Sequence, residues 1–288
     1  DNHPLVREHI RAEGRAVVLE KGLNGDMITM YDKGSHIPLL WTHLIPATLE
    51  GKAVHNVQNA MFAAALAFSM GKPLDDIRHG LRTFNTTFFQ TPGRMNIFDE
   101  HPFKVILDYA HNAAAFKGMC HLVSRLETQG KNICVISMPG DRRDEDIVEV
   151  AKIVSAVFDY FICKADDNRR KRGFDEVPQM LRKILLENGV TEDKIEVIPD
   201  EVESIQRGLS LAEPGDLLMV FGDNVTRCWK QIINFNQDGE LTTSSKTTAP
   251  IVEDSAESFV EPFTLGAGQR LIKDERGVRL NTLEEDAD

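Results

Sequence analysis

The sequence lacks the motifs that most directly identify a nucleotide-binding or a membrane protein. No GxxxxGK[ST] phosphate-binding loop and no GxGxxG turn after a strand are present, and Gly71-Lys72 is followed by a proline. No apolar run approaches the roughly 20 residues that span a bilayer, and the polar residues 1–7 do not resemble a signal peptide. We therefore expect a globular, cytoplasmic protein that encodes no phosphate cradle of its own.

Cysteine and net positive charge are also scarce. The four cysteines are widely spaced and form no CxxC pair, so we predict reduced, mostly buried thiols and no metal site. Acidic residues outnumber basic ones by 45 to 33, which gives a net charge of −12. This charge opposes binding to nucleic acid or to an anionic membrane, although residues 169–172 form a local basic run.

What the chain does contain is enough apolar residues for a substantial core. Its 288 residues are 42% hydrophobic, which is sufficient for about two domains. Short apolar runs predict the strands of a small β-meander at residues 16–20, 27–31 and 37–41. An alanine-rich segment and the residues after it predict two helices, at 55–70 and 74–84. The Thr91-Pro92-Gly93 sequence interrupts this pattern, so we place a domain boundary near residue 90.

From there to residue 235, short apolar strands alternate with amphipathic helices. The alternation predicts right-handed βαβ crossovers and an α/β fold with a Rossmann-like, mostly parallel sheet covered on both faces. Ligands bind such sheets outside the carboxyl ends of the strands. The predicted strands are 104–107, 132–137, 160–163, 194–198 and 217–221. The first predicted helix ends near residue 126, and the other four span residues 144–157, 175–188, 201–211 and 225–233.

Residues 236–288 have a different composition. They include 12 acidic and 5 basic residues and a segment rich in Ser, Thr and Lys at 242–249. We predict an acidic tail that is extended or partly disordered, with Phe259, Phe263 and the Leu271 to Leu280 segment as candidate docking points.

The strongest candidate site is Asp108-Tyr109-Ala110-His111-Asn112, between the first strand of the alternating region and the following helix. A carboxylate, an imidazole and an amide at this junction can contact a ribose or a phosphate, and a helix amino terminus offers free N–H groups to an anion. The same residues fit a helix cap beside a core tyrosine equally well. Both interpretations stand at this point.

Two weaker candidates precede that motif. Arg94 follows Pro92-Gly93 at the predicted domain junction, where an arginine can bridge a ligand held between domains or form an exposed salt bridge. Asn56 and Asn59 are three residues apart at the start of a predicted helix, so they lie near the same face. Capping of that helix by Asn56 is the structural alternative.

Charged loops follow the later strands of the alternating region. Gly140 to Asp144 opens a helix after the second strand, and Asp166 to Gly173 follows the third. Both loops fit a substrate site at the ligand-binding edge, and both also fit ordinary solvated loops. Asp223 and Asn224, after the last strand, fit a substrate site or a helix cap. The candidate substrate-binding residues at this edge are Asp141, Arg142, Asp166, Asp167, Arg169 and Asp223.

Taken in order, these motifs resemble those of the Mur ligase superfamily. His55-Asn-x-x-Asn59 is similar to the end of its ATP-binding central domain, Gly93-Arg94 to the start of its carboxyl-terminal domain, and Asp108 to Asn112 to the motif that follows. Within the superfamily the chain most resembles the cyanophycin synthetases, and it does so over nearly its whole length. The segments that carry this resemblance are Ile45 to Ala65, Gly140 to Asp146 and Asp274 to Leu280.

The resemblance implies a domain order. Residues 1–90 would be the end of a Mur-type central α/β domain without its phosphate loop, residues 91–235 the carboxyl-terminal Rossmann-like domain, and residues 236–288 the tail. It also implies roles for the motif residues. Asn56, Asn59, Arg94 and Asp108 would bind the nucleotide, with Asp108 toward the ribose, and His111 and Asn112 would act beside it as catalytic residues.

The resemblance further implies a reaction and its partners. Cyanophycin synthetases join arginine to the side-chain carboxylates of a polyaspartate backbone, with ATP activating each carboxylate as an acyl phosphate. The implied partners are ATP with Mg²⁺, arginine and the aspartate–arginine polymer primer, in a homo-oligomeric full-length enzyme. Because a guanidinium group pairs with carboxylates, we predict that Asp166 and Asp167 bind the arginine.

Other functions remain open. Without a phosphate loop the chain should be catalytically incomplete by itself, so a noncatalytic Mur-like binding or assembly module is one alternative. Another Mur-type ligase, acting on folate or on a cell-wall peptide, is the second.

Overall fold

The structure is a computed structural model that describes residues 3–235, 269–274 and 277–282. The chain divides into two compact units, residues 1–239 and 240–288. The first unit contains both regions on either side of residue 90, so a domain boundary at that position stays a prediction. Phe259, Phe263 and the segment 242–249 lie outside the described residues.

The amino-terminal region is a helix followed by a three-stranded antiparallel meander, which confirms the predicted strands. The helix was not predicted, and none of its residues is buried, so its sequence carries no core pattern. Pro4, with its fixed φ angle, suits the first turn of this helix. The elements are α1 (Pro4–Arg11), β1 (Ala16–Gly22), β2 (Gly25–Asp32) and β3 (Ser35–Trp41).

Two helices follow the meander, as predicted: α2 (Val54–Ser69) and α3 (Leu74–Thr83). Gly71 has φ +80° just after α2, a conformation that glycine adopts without strain, and this residue separates the two helices. One side of α2 packs on the meander through Ala60 and Ala64, which share a core with Ile28 and Ile77.

The alternating region forms a six-stranded sheet in the order β4-β5-β9-β6-β7-β8, with all neighbours parallel except β4 and β5. The predicted mostly parallel α/β fold is therefore confirmed. The three-residue edge strand β4 was missed because it is short and begins with a buried asparagine. The strands are β4 (Asn96–Phe98), β5 (Lys104–Asp108), β6 (Asn132–Ile136), β7 (Tyr160–Cys163), β8 (Ile195–Val197) and β9 (Leu217–Phe221).

Helices cover both faces of this sheet and create two cores. The first three helices pack on one face around Phe116, Leu181 and Phe161, and the last two pack on the other around Ile205 and Leu218. These helices are α4 (Ala113–Val123), α5 (Asp144–Ser155), α6 (Glu176–Glu187), α7 (Glu201–Leu211) and α8 (Val225–Ile233).

The strand order also determines where a ligand can bind. The chain leaves β5 for β6 but later inserts β9 between them, so the direction of winding changes beside β9. Open α/β sheets bind ligands at such a switch point, outside the carboxyl ends of the strands. The loops after β5, β6, β7 and β9 therefore meet at one edge.

The four cysteines are free and buried, which confirms the prediction of unpaired, buried thiols. Burial raises the pKa of Cys120 and of Cys163 to about 12, so neither thiol forms a reactive thiolate near neutral pH. In the second unit, β10 (Gln269–Asp274) and β11 (Gly277–Thr282) form an antiparallel hairpin that was not predicted. Within the part of the chain that the structure describes, no helix is long and apolar enough to cross a membrane.

Candidate functional site

A cavity of about 1250 Å³ lies in the first unit, between the α2–α3 pair and the β5–α4 junction. Its wall includes Ile45, Phe84 and Met119, so much of the lining is apolar. All of the residues predicted to bind the nucleotide or to act in catalysis line this cavity: Asn56, Asn59, Arg94, Asp108, His111 and Asn112.

Asp108 ends β5 and is buried at the base of the cavity. Its Oδ2 accepts a hydrogen bond from the Met95 N–H at 2.9 Å, and its Oδ1 accepts one from the Ala110 N–H at 2.9 Å. Burial raises the pKa of Asp108, while these two N–H groups and the nearby charge of Arg94 oppose that rise. Each carboxylate oxygen keeps one further lone pair for a ligand hydroxyl group.

The loop that carries Arg94 is fixed to the end of β5 by buried hydrogen bonds. The Gly93 N–H donates to Asn96 Oδ1 at 2.7 Å, and the Gly93 carbonyl accepts from the Tyr109 N–H at 2.9 Å. Gly93 has φ +70°, and a Cβ there would lie 2.3 Å from Val225 Cγ1, so no larger residue fits. Asn96 also donates to the Thr91 carbonyl oxygen at 2.9 Å. This buried asparagine was not identified from the sequence.

Arg94 itself is exposed at the mouth of the cavity. Its guanidinium carbon lies 5.4 Å from the centre of the Tyr109 ring, which is a cation–π contact. Arg94 forms no ion pair with any described residue, so the salt-bridge alternative does not apply in the described part of the chain. The side chain is a cation without a carboxylate partner among the described residues.

Asn56 and Asn59 lie on one face of α2, as their spacing predicts. Asn59 Nδ2 donates to Asn56 Oδ1 at 3.1 Å, and Asn56 Nδ2 donates to the Ala47 carbonyl oxygen at 2.7 Å. The capping alternative for Asn56 is wrong, because the helix begins at Val54. These bonds orient the Asn59 amide, whose carbonyl oxygen accepts no hydrogen bond from the described residues.

The two residues predicted to be catalytic differ in their local roles. Asn112 is the N-cap of α4, and its Oδ1 accepts a hydrogen bond from the Ala115 N–H at 3.0 Å. The cap interpretation therefore holds for Asn112, and its Nδ2 group and one lone pair of Oδ1 are left for a ligand. His111 lies against Tyr109, with 3.8 Å between ring centres, and its imidazole is partly exposed.

A second group of polar residues lies at the ends of β6, β7 and β9, outside that cavity. Its centre is Lys164, which is 0% exposed directly after β7. Lys164 Nζ contacts Ser137 Oγ at 3.0 Å, Glu201 Oε1 at 3.1 Å and Asp223 Oδ2 at 2.7 Å. Asp223 and Glu201 outweigh the effect of burial and raise the pKa of Lys164, so the amine stays charged.

Arg227 extends this network toward the loop after β7. It pairs with Glu201 and, at 2.7 Å, with Asp167 Oδ2. The Asp167 N–H donates to Asp223 Oδ2 at 3.1 Å. Two of the predicted substrate-binding residues, Asp167 and Asp223, are thus already paired with cations of the protein itself.

Asp166 is the predicted substrate-binding carboxylate that makes no ion pair within the described residues. It is half-buried, and its Oδ1 accepts a hydrogen bond from the Asn168 N–H at 2.7 Å. Burial and the negative charge of Asp223 raise the pKa of Asp166, while Lys164 and His111 oppose that rise.

The remaining predicted residues hold two loops together. Asp141 pairs with Arg170 across the loops. Gly140 packs so closely on the Arg169 carbonyl oxygen that a Cβ would lie 2.0 Å from it. Arg172 donates to the Arg142 carbonyl oxygen at 2.8 Å, while the buried Arg142 Nε has no partner in the described residues. Arg169 lies over the Phe174 ring at 5.4 Å.

Sequence reasoning missed Lys164, Glu201 and Arg227. A signal for Lys164 was present, because it directly follows an apolar strand whose end is buried. Nothing in the sequence indicates that the first residue of α7 and a residue of α8 reach this lysine, since their separations along the chain are long.

Known proteins resemble this chain in sequence and in fold. Residues 93–224 match the family described as Mur ligase, glutamate ligase domain. Residues 93–224 are therefore similar to this domain of the Mur ligases. It is 37% identical over 236 residues to the cyanophycin synthetase of Trichormus variabilis, a match that covers 79% of this chain and 25% of that protein. The predicted resemblance is confirmed, and the chain spans about a quarter of the length of the curated cyanophycin synthetases that it matches.

Two solved structures share the fold. The folylpolyglutamate synthase of Mycobacterium tuberculosis, solved with ADP and AMPPCP, has a TM-score of 0.54 at 16% identity and covers 81% of this chain and 52% of its own. A pseudomurein peptide ligase type C from Methanothermus fervidus has a TM-score of 0.52 at 22% identity and covers 75% and 41%. At these identities the likeness concerns the fold alone.

Proposed function

We propose that this chain is part of an ATP-dependent carboxylate–amine ligase of the Mur type. The observation that carries the proposal is the single cavity lined by all of the motif residues, with Arg94 unpaired among the described residues at its mouth. The match of residues 93–224 to the Mur ligase family and the similarity to cyanophycin synthetases support it.

In this proposal the cavity holds the adenosine end of ATP. The Asn59 carbonyl oxygen accepts from the adenine amino group, and Asp108 accepts from a ribose hydroxyl group. Arg94 supplies a positive charge to the phosphates. The described residues hold no group of three or more His, Cys, Asp or Glu side chains that fits a metal ion. Mg²⁺ at nucleotide sites is bound by the phosphates, by water and by one or two protein ligands, so it needs no such group.

The proposed reaction has two steps. A carboxylate oxygen of the acceptor attacks the γ-phosphorus of ATP, ADP leaves, and an acyl phosphate forms. The amine nitrogen then attacks the carbonyl carbon and loses a proton, and phosphate leaves as the amide forms. Charge stabilisation and positioning supply most of the catalysis in such transfers. We assign His111 and the Asn112 amide to contact with the reacting groups, since both line the cavity together with Asp108.

The amine donor in this proposal is arginine, and the acceptor is an aspartate–arginine polymer. Asp166 supports this choice, because a half-buried carboxylate that forms no ion pair with the described residues is suited to a guanidinium group. The sequence predicted that Asp166 and Asp167 both bind the arginine. We now assign this role to Asp166 alone, since Asp167 already pairs with Arg227. Asp141, Arg142, Arg169 and Asp223 would then shape the loops around the donor.

We further propose the domain boundaries at residues 90 and 235, a homo-oligomeric full-length enzyme and a cytoplasmic location. The four free, buried cysteines support the last of these. No nucleic acid or membrane partner is proposed.

Replacing Arg94 tests the nucleotide assignment in a full-length enzyme that carries this chain. Arg94→Ala and Asp108→Ala should each lower arginine addition by roughly 30-fold or more, the cost of losing a desolvated charge contact. Arg125→Ala, at an exposed position of the chain, is the matched control. Normal arginine addition by both variants would reject the nucleotide site.

Replacing Asp166 tests the donor assignment. Asp166→Asn should raise KM for arginine at least about tenfold while KM for ATP changes little, because only the donor contacts this carboxylate. Asp167→Asn is the matched control and should have the smaller effect on KM for arginine. A screen of other amine donors, including glutamate and diaminopimelate, separates this ligase from the folate and cell-wall alternatives.

A further inference from the structure

Tyr109 follows directly after β5 and lines the cavity. Its side chain is 37% exposed, so the interpretation of this residue as a core tyrosine is wrong. Its hydroxyl group makes no hydrogen bond with the described residues. The contribution of this side chain within the described part of the chain therefore comes from its aromatic ring.

Two side chains of the candidate site contact that ring. The Arg94 guanidinium carbon lies 5.4 Å from the centre of the Tyr109 ring, and the centre of the His111 ring lies 3.8 Å from it. The proposed function assigns Arg94 to the phosphates and His111 to the reacting groups. Tyr109 is thus the side chain that joins these two.

The backbone of Tyr109 is held against the loop that carries Arg94. The Tyr109 N–H donates to the Gly93 carbonyl oxygen at 2.9 Å. A Cβ on Gly93 would lie 3.4 Å from the Tyr109 Cβ, so the two segments are in close contact. Because His111 also packs against the ring, the ring is a fixed platform beside Arg94.

The Arg94 guanidinium group has no other contact that holds it among the described residues. The Arg94 N–H donates to the Thr91 carbonyl oxygen at 3.1 Å, so the backbone is fixed. The guanidinium group forms no hydrogen bond or ion pair with the described residues, and all five of its N–H donors remain for a ligand. A guanidinium group that already lies on a ring loses less conformational entropy when an anion binds.

We propose that Tyr109 is a positioning residue whose ring holds the Arg94 guanidinium group in place for the nucleotide phosphates. This inference rests on the proposed function, which puts a nucleotide in the cavity. The ring acts through Arg94, so it strengthens binding of the phosphates and not of the nucleoside. An exposed cation–π contact of this kind changes a dissociation constant about two- to fivefold.

Binding of ADP and of adenosine to the purified 288-residue chain tests the proposal. NMR titration gives the two dissociation constants, and the ratio of the adenosine constant to the ADP constant measures the contribution of the phosphates. Tyr109→Leu and Tyr109→Gln remove the ring, whereas Tyr109→Phe keeps it. Phe174→Leu is the matched control, because Arg169 lies over the Phe174 ring at the same 5.4 Å and neither residue lines the cavity. Thermal unfolding checks that each variant is folded.

We expect Tyr109→Leu and Tyr109→Gln to lower the ratio about two- to fivefold, with the dissociation constant of adenosine unchanged. Tyr109→Phe should restore the wild-type ratio, and Phe174→Leu should leave the ratio unchanged. In an Arg94→Ala background the ratio is already low. Tyr109→Leu should lower it no further there, because the ring acts through Arg94.

Several results would overturn the proposal while the nucleotide site stands. They are a wild-type ratio in both variants without the ring, an equal loss in Tyr109→Phe or Phe174→Leu, weaker binding of adenosine without the ring, and a further loss in the Arg94→Ala background. Unfolding of both variants without the ring would assign the ring to stability and would also overturn it. If the wild-type chain bound ADP no more tightly than adenosine, or if Arg94→Ala kept the wild-type ratio, the nucleotide assignment itself would fall, and this inference with it.

Discussion

Lys164 provides the sharpest test of how the carboxyl edge of the sheet is held together. Its ammonium group is fully buried and neutralises Glu201 and Asp223, which lie on different elements. Lys164→Met keeps most of the side-chain volume but leaves two buried carboxylates without this cation. Breaking a buried ion pair from one side costs about 3–5 kcal/mol. A domain is stable by about 5–15 kcal/mol, so the loss would be a large fraction of the total.

Urea unfolding of the purified chain measures this cost as a change in midpoint at constant slope. Lys152→Met, at an exposed position of α5, is the matched control and should change the free energy of unfolding by less than about 0.5 kcal/mol. Glu201→Gln combined with Lys164→Met should recover part of the loss, because one uncompensated charge is removed. A Lys164→Met variant within about 1 kcal/mol of the control would refute the electrostatic argument.

The pH dependence gives an independent check. Burial pushes the pKa of Glu201 upward, but Lys164, the N–H of Asp223 and Arg227 outweigh it and lower the pKa to about 2. A carboxylate with a lowered folded pKa stabilises the protein above its unfolded pKa of 4.5 and loses that contribution as the pH falls toward 2. The stability difference between wild type and Lys164→Met should therefore shrink between about pH 5 and pH 2. A constant difference across this range would contradict the assignment.

Two further predictions concern the loop before β5 and the chain as a catalyst. Gly93→Ala should lower the free energy of unfolding by more than about 1 kcal/mol, since its Cβ would meet Val225 at φ +70°. Gly71→Ala, at φ +80° with nothing within 4 Å, is the control for strain alone, and equal thermal shifts for both would reject the steric argument. The purified 288-residue chain should fold but show no ATP turnover, because the sequence has no phosphate loop. Turnover that Arg94→Ala abolishes would contradict this.

Local sequence patterns were sufficient for most of the secondary structure. β7, α7, β9 and α8 were predicted with their observed bounds, because alternating apolar segments of this length form parallel sheets with helical crossovers. The helix α1 and the strand β4 were missed because neither has a buried pattern long enough to detect. The family resemblance and the positions of the motifs near element ends predicted that six polar residues lie near one another. These residues are Asn56, Asn59, Arg94, Asp108, His111 and Asn112.

What only the tertiary structure decided is which polar groups are free to bind a ligand. Asp166 and Asp167 are neighbours in the sequence and were predicted to act together, but Asp167 pairs with Arg227, which is 60 positions away. Asp223 was a candidate because it also follows a strand at this edge of the sheet, but its carboxylate pairs with the buried Lys164. The order of the strands brings these residues together, and long-range pairing of charges leaves no local sequence signal. A sequence identifies which charges are available at the edge of a sheet, whereas only the packed fold determines which of them remain unpaired.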